Sequence, residues 1–187
     1  MANKALLIMD VQRRITEMIP GGGPALLQNI KHAQEAARAA GIPVIFVKIG
    51  FREGYPEISP ANVSFSGIKA QGWFGPDDEM GAVHPDVAPL PGELVIDKKR
   101  VSAFAGNDLQ MILASKGITE LVLSGIATSG IVLSTVRQAF DLDFKLTVLA
   151  DCCVDRSEEV HNILVGKIFP NQATVQTAAE WAASLKA

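Results

Sequence analysis

The sequence predicts an α/β fold, a parallel sheet with helices on both faces, three layers in all. Three observations predict it. Apolar residues are 48% and charged residues 20% of 187, a globular composition long enough for one sizeable core. Short apolar runs without polar alternation recur along the chain, as strands buried on both faces require. Helical periodicity separates most of these runs, so successive strands lie parallel and right-handed crossovers put the helices on two sides.

The elements follow in order. Residues 4–10 are a continuous apolar run ending in an acid, the first strand. Residues 24–40 carry Leu26, Ile30, Ala33, Ala37 and Ala40 at helical spacing, and Gly41 stops that helix. The runs 43–48 and 93–97 are the second and third strands. A helix over 107–116 is closed by Gly117, and 120–124 is the fourth strand. Helical spacing resumes over 129–142, and 145–150 is the fifth strand. A helix over 157–169 is stopped by Pro170, a sixth strand occupies 173–176, and the last helix spans 178–185. No repeat, linker or low-complexity tract interrupts the chain, so 1–187 is expected to be a single domain.

The stretch 50–90 breaks the rhythm. It holds Phe51, Tyr55, Phe65, Trp73 and Phe74 among glycines and prolines. At about forty residues it exceeds an ordinary connection. Two readings stay open: a loosely structured surface segment or partner-subunit contact, and a lid and pocket wall over the strand ends.

Composition also excludes whole classes of function. With 17 basic and 20 acidic residues the formal charge is −3, and no basic stripe stands out. Nucleic acid and anionic membrane are therefore not expected partners. No apolar run reaches spanning length, and a cytoplasmic protein is expected. Cys152 and Cys153 are adjacent, a poor geometry for a relaxed disulfide, and they suit a reducing compartment. His32, His84 and His161 make no ligand spacing with one another or with cysteine, so no metal is expected. No glycine-rich phosphate loop is present, and no cofactor is expected.

Open parallel sheets carry their sites beyond the carboxyl ends of the strands. Three features lie there. Asp10 ends the first strand, where partial burial would raise its pKa and suit it to acid–base work; capping the next helix is the plainer role. Lys98 ends the third strand and could steady Asp10 and a charged transition state. Spacing alone leaves Lys99 as an alternative, because neighbouring strand residues face opposite ways. The third feature is the small-residue turn over 125–130, which feeds a strand into a helix and points backbone N–H groups at the strand ends. Thr128 and Ser129 lie in it as capping hydroxyls, and no motif brings a histidine base near them.

The segments Asp10-Val-Gln12, Lys98-Lys-Arg-Val-Ser-Ala-Phe104 and Gly125-Ile-Ala-Thr-Ser-Gly-Ile-Val-Leu-Ser-Thr135 carry a resemblance. In order and spacing they are similar to the isochorismatase-like hydrolase superfamily, which includes nicotinamidases, carbamoylsarcosine amidases and isochorismatases. Leu149-Ala-Asp151 and Thr177-Ala-Ala-Glu-Trp181 extend the resemblance over essentially the whole chain.

The resemblance implies six parallel strands in the order 3-2-1-4-5-6. It implies Asp10 and Lys98 as the catalytic pair, Lys98 because the family lysine precedes the Phe of Ser-Ala-Phe by six residues. It implies a substrate cradle of Ile126, Ala127, Thr128, Ser129 and Gly130, with a cis peptide at Ile126–Ala127. Gln12, Trp73, Phe74, Phe104 and Ile131 complete the expected substrate contacts. The amidases place their nucleophilic cysteine where this chain has Ile131, whereas isochorismatases have glycine there and cleave a vinyl ether without a nucleophile. The expectation is a cofactor-independent hydrolase without the cysteine, acting on a vinyl ether or C–N bond of a small ring or conjugated acid. The alternatives are a non-catalytic metabolite-binding member and an amidase with a relocated cysteine. Members of the superfamily are usually homo-oligomers.

Overall fold

The computed structural model describes residues 3–20 and 23–186. Its centre is one parallel sheet of six strands: β1 (Lys4–Met9), β2 (Val44–Ile49), β3 (Leu94–Lys98), β4 (Glu120–Ile126), β5 (Lys145–Val154) and β6 (Thr174–Gln176). The order is β3-β2-β1-β4-β5-β6 and every pairing is parallel, as the sequence led us to expect. The helices are α1 (Arg13–Glu17), α2 (Pro24–Ala39), α3 (Val63–Ala70), α4 (Leu109–Ser115), α5 (Leu133–Asp141), α6 (Glu158–Ile163) and α7 (Ala178–Ser184).

The unbroken apolar strands are explained by two cores, one on each face. Along β1, Ala5, Leu7 and Met9 pack with Val136 and Ala139 of α5 and Leu109 and Leu113 of α4. Leu6 and Ile8 turn the other way, to Ile30, Ala33 and Ala37 of α2 and Trp181 of α7. Each fully buried leucine or isoleucine contributes about 1.5–3 kcal/mol, so the central strands dominate stability. Caps agree with this arrangement: Pro24 sits in the first turn of α2, and Thr177 and Glu180 form a reciprocal capping box on α7.

Several boundaries differ from the sequence reading, for identifiable reasons. The edge strand β3 leaves Leu94 and Val95 exposed and runs one residue further, to Lys98, because Lys98 pairs with Ile49. Strand β5 runs past Ala150 to Val154, since after a register shift Cys153 and Val154 pair with Gly125 and Ile126 at the tip of β4. The expected helix over 129–142 begins as a wide turn over Thr128–Val132, kinked at Gly130 (φ −93°, ψ −106°). The expected helix over 157–169 likewise divides into α6 and a wide turn over Leu164–Ile168. Helix α1 has five residues, too few to show a period in sequence.

The stretch 50–90 is folded rather than loose. Phe51, Ile58, Phe65 and Phe74 form a small core with Ile49, and Phe51 meets Tyr55 and Phe65 at ring-centroid distances of 5.8 and 5.9 Å. Asn62 caps α3 by accepting the Phe65 N–H. No helix among the described residues is long and apolar enough to cross a membrane.

Candidate active site

The site is built where β1 and β4 end side by side. Met9 and Gly125 are register partners, and Gly125 has φ +147°. A side chain there would overlap the Met9 carbonyl oxygen, so only glycine lets the two backbones approach this closely. The next residue of the first strand, Asp10, takes φ +55° while its N–H donates to Val47 O at 2.8 Å. Holding a non-glycine residue there costs about 1 kcal/mol or more, and it turns the carboxyl out of the strand's alternation.

Asp10 Oδ2 lies 3.0 Å from Lys98 Nζ, with 9% and 2% of their side chains exposed. The ammonium also donates to Arg100 O at 2.9 Å. Asp10 Oδ1 is buried without a hydrogen-bond partner among the described residues. Burial raises the Asp10 pKa, and the attraction and hydrogen bond of Lys98 oppose it without cancelling it. The physical reason is visible in the two oxygens. An ammonium only donates, so it can satisfy Oδ2 in either protonation state; an ionised Oδ1 would be a buried charge with no donor, and a proton there removes the penalty. Lys99 points elsewhere, its Nζ donating to Gly50 O at 2.5 Å, which settles the choice between the two lysines on geometry.

Beside Asp10 lies a cavity of about 580 Å³. One wall is the β4 turn: Ile126, Ala127, Ser129 and Gly130, with the Ile126–Ala127 peptide cis. Trp73 and Phe74 supply the opposite wall, with Ile68 and Ser64 of α3, and α1 closes it with Ile15 and the following Met18 and Ile19. Asp155 and Arg156, just past β5, complete the rim. The aromatic wall is tied down by Arg14. Its guanidinium lies 4.8 Å from the Trp73 ring centroid and pairs with both carboxylate oxygens of Asp78, at 3.3 and 2.7 Å. Asp78 in turn accepts the N–H groups of Phe74 and Met80, and these bonds outweigh burial and hold its pKa below the usual carboxylate range.

Four residues expected to contact the substrate are instead behind the wall, as is Lys98, the expected partner of Asp10. Gln12 is fully buried and spends its amide on backbone: Ile49 O, Gly81 O and the Ile49 N–H, at 3.0, 2.6 and 3.0 Å. Lys98 reaches the cavity only through Asp10. Phe104 packs on Phe144 at 5.9 Å. Ile131 is 1% exposed and sits in the core beside Val132 and Phe104, because the kink at Gly130 turns position 131 inward. Thr128, also fully buried, meets His161 Nδ1 at 2.8 Å, a histidine that no sequence motif placed there.

The turn offers fewer free donors than its glycines suggest. The Ser129 N–H donates to Asp155 Oδ2 at 2.7 Å, and the Gly130 N–H to Ala127 O at 3.0 Å. Cys152 and Cys153 lie in opposite cores. Burial pushes the Cys153 thiol up to about 12 and Cys152 higher still, so neither is a ready thiolate. Among the described residues no group of three or more His, Cys, Asp or Glu could hold a metal ion. Sequence reasoning missed Asp155, Arg156 and His161; the rule that sites gather past strand ends reaches the first two once β5 is extended to Val154.

The family model described as Isochorismatase domain matches residues 4–180. The isochorismatase family protein YecD of Escherichia coli O157:H7 is 32% identical over 183 residues, covering 94% of this chain and 93% of YecD. The ureidoacrylate amidohydrolase RutB of Pseudomonas savastanoi pv. phaseolicola is 32% identical over 169 residues, 79% of this chain and 69% of RutB. Among solved structures, an isochorismatase family protein from Burkholderia thailandensis superposes with a TM-score of 0.84 at 29% identity, over 99% of this chain and 96% of that one.

Proposed function

The chain belongs to the isochorismatase family, a family with hydrolase members, and from that premise we propose a cofactor-independent hydrolase in which Asp10 is the general acid and Lys98 its electrostatic partner. The observation that carries this reading is the Asp10 carboxyl: beside the cavity, raised in pKa by burial, held on one oxygen by Lys98 and unpartnered on the other. A buried acid that keeps its proton at higher pH than usual is what protonation of carbon requires. No thiol lines the cavity, which disfavours a thioester intermediate and both cysteines as relocated nucleophiles. The bond we favour is a vinyl ether. Asp10 protonates the terminal carbon, water adds to the resulting oxocarbenium ion, and the hemiketal releases an alcohol and a ketone. The substrate is a small ring or conjugated acid, its apolar part against Trp73 and Phe74 and its reacting end over the turn at Ile126, Ala127, Ser129 and Gly130. RutB is by name a ureidoacrylate amidohydrolase, which makes a C–N bond the second substrate class. In this reading the protein is a cytoplasmic homo-oligomer, which light scattering on the purified protein checks.

The test is a panel of 2-ethoxyacrylate, isochorismate, ureidoacrylate and N-carbamoylsarcosine. Turnover of a vinyl ether is expected, read from 2-ethoxyacrylate as released pyruvate, and Asp10→Asn should slow it about a hundredfold or more. Silence across the panel combined with tight retention of one of these compounds would favour a non-catalytic binding protein, the reading that the buried Ile131 side chain supports. Full turnover by Asp10→Asn would remove the acid from the scheme.

A further inference from the structure

The order of the sheet puts β4 between β1 and β5, so the β4 turn has a strand tip on either side. Asp10 follows one tip and Asp155 the other, and both face the same cavity. Neighbouring strands lie about 4.8 Å apart, so the two tips are separated by roughly 10 Å. That backbone separation is comparable with the roughly 6.5–9.5 Å at which paired carboxyl groups leave room for a water between them. Asp155 is fixed there by the Ser129 N–H, 2.7 Å from its Oδ2. The Thr128–His161 hydrogen bond ties the turn to α6 just beyond. We propose that Asp155 is the base that takes the proton from the hydrolytic water, so that the reaction runs between two carboxyl groups across the turn.

The two environments push these acids apart. Burial raises Asp10, whereas at Asp155 the hydrogen bonds from Ser129 and the backbone of Ser157 and Arg156 outweigh burial and keep the carboxyl below its usual range. The shifts run in opposite directions, Asp10 toward holding a proton and Asp155 toward the ionised form, the division that acid–base pairs use. The charged groups around Asp155 are Arg156 beside it, Glu158 and His161 on α6, and Asp10 across the cavity.

Atoms and electrons balance through the cycle. The alkene π pair takes the proton of Asp10 at the terminal carbon. Water oxygen then bonds to the oxocarbenium carbon as its proton passes to Asp155. The ether C–O bond of the hemiketal breaks, the departing alcohol oxygen takes the proton from Asp155, and the hydroxyl proton returns to Asp10 as the ketone forms.

The inference rests on Asp10 as the acid, so the experiment reads both residues with the vinyl ether turned over in the panel, 2-ethoxyacrylate first. Asp155→Asn keeps an oxygen for the Ser129 N–H while removing the base. Its kcat should fall about a hundredfold with KM within about threefold, and the acidic limb of the kcat–pH profile should vanish. Asp155→Glu should retain more activity, and added formate should restore turnover to Asp155→Ala but not accelerate the wild type. Wild-type kcat in Asp155→Asn alongside an inactive Asp10→Asn overturns this inference and leaves the acid standing. A rise in KM alone, or a loss explained by a lowered melting temperature and not restored by formate, also overturns it, since a tether to Ser129 would do that. Full activity in both single variants removes the reading on which it rests.

Discussion

The floor of the cavity and its cover are built by different means. The floor is backbone and one side-chain contact: Met9 and Gly125 pressed together, Asp10 in a left-handed conformation, and its carboxyl held by Lys98 nearly sealed from water. The cover is side chains: an aromatic cluster of its own and a wall pinned by one arginine to one aspartate and one tryptophan ring. The floor leaves Gly125 no room for a side chain, while the cover is held by contacts of side chains with one another. Precision at the reacting carboxyl and adaptability around the substrate are thus assigned to separate parts of the chain.

The comparison breaks first at the floor. Gly125→Ala would drive a methyl group into the Met9 carbonyl. We expect a loss of about 3 kcal/mol or more, seen as aggregation on expression or a collapsed urea midpoint. A midpoint within error of the wild type would show that the tips of β1 and β4 can spread apart.

Lys98→Met comes next, at about 3 kcal/mol once pH exceeds the Asp10 pKa, because the ionised carboxylate then has lost its buried partner. Its signature is in the pH dependence. The folded pKa of Asp10 is raised above the unfolded value near 3.8, so the folded state binds the proton more tightly. That contribution is fully present below 3.8 and is lost as pH rises through the folded pKa. Without Lys98 the largest opposition to burial is gone and only the weaker pull of Ile49 and Lys48 remains, so urea melts of the variant should lose stability with rising pH more steeply than the wild type. Parallel curves would show that Lys98 does not set the charge of Asp10.

The smallest effect belongs to the cover. Arg14→Ala removes a partly buried bidentate pair and its stacking on Trp73, and should cost about 1–2 kcal/mol. Asp78 is held below its usual pKa, so its contribution is present above the unfolded pKa and fades as pH falls through the folded one. The variant should show a smaller acid sensitivity, keeping only the part that the Phe74 and Met80 N–H groups supply. A red shift in Trp73 emission and a raised KM with kcat nearly unchanged would mark a loosened wall, whereas an unchanged spectrum would mean that Arg14 is not what holds it.

The same contrast explains what the sequence disclosed. Asp10 and the turn from Gly125 were legible because strand tips in a parallel sheet point at the site by topology, whatever the side chains do; topology left Lys98 and Lys99 equal, and only the family resemblance separated them. The cover was not, since aromatic residues among glycines and prolines carry no period until they meet in space. Helix α1 was too short to announce itself. Ile131 looked like an early residue of a regular helix; the kink at Gly130 that turns it into the core leaves no trace in hydrophobic spacing. Asp155 was hidden by the extra residues of β5 past Ala150, whose pairing with the end of β4 is a register shift that a pattern of apolar residues does not encode, and His161 lay on an expected helix with nothing in its spacing to tie it to Thr128.

The proton on Asp10 is what the whole scheme needs, and it can be observed directly. In protein labelled at the aspartate carboxyl carbons, the Asp10 resonance is the one missing from Asp10→Asn, and its shift can be followed against pH. The account expects that carboxyl to titrate above the ordinary aspartate value of 3.8. A midpoint at or below that value would contradict it, because Asp10 would then be an ionised partner of Lys98 with no proton to give.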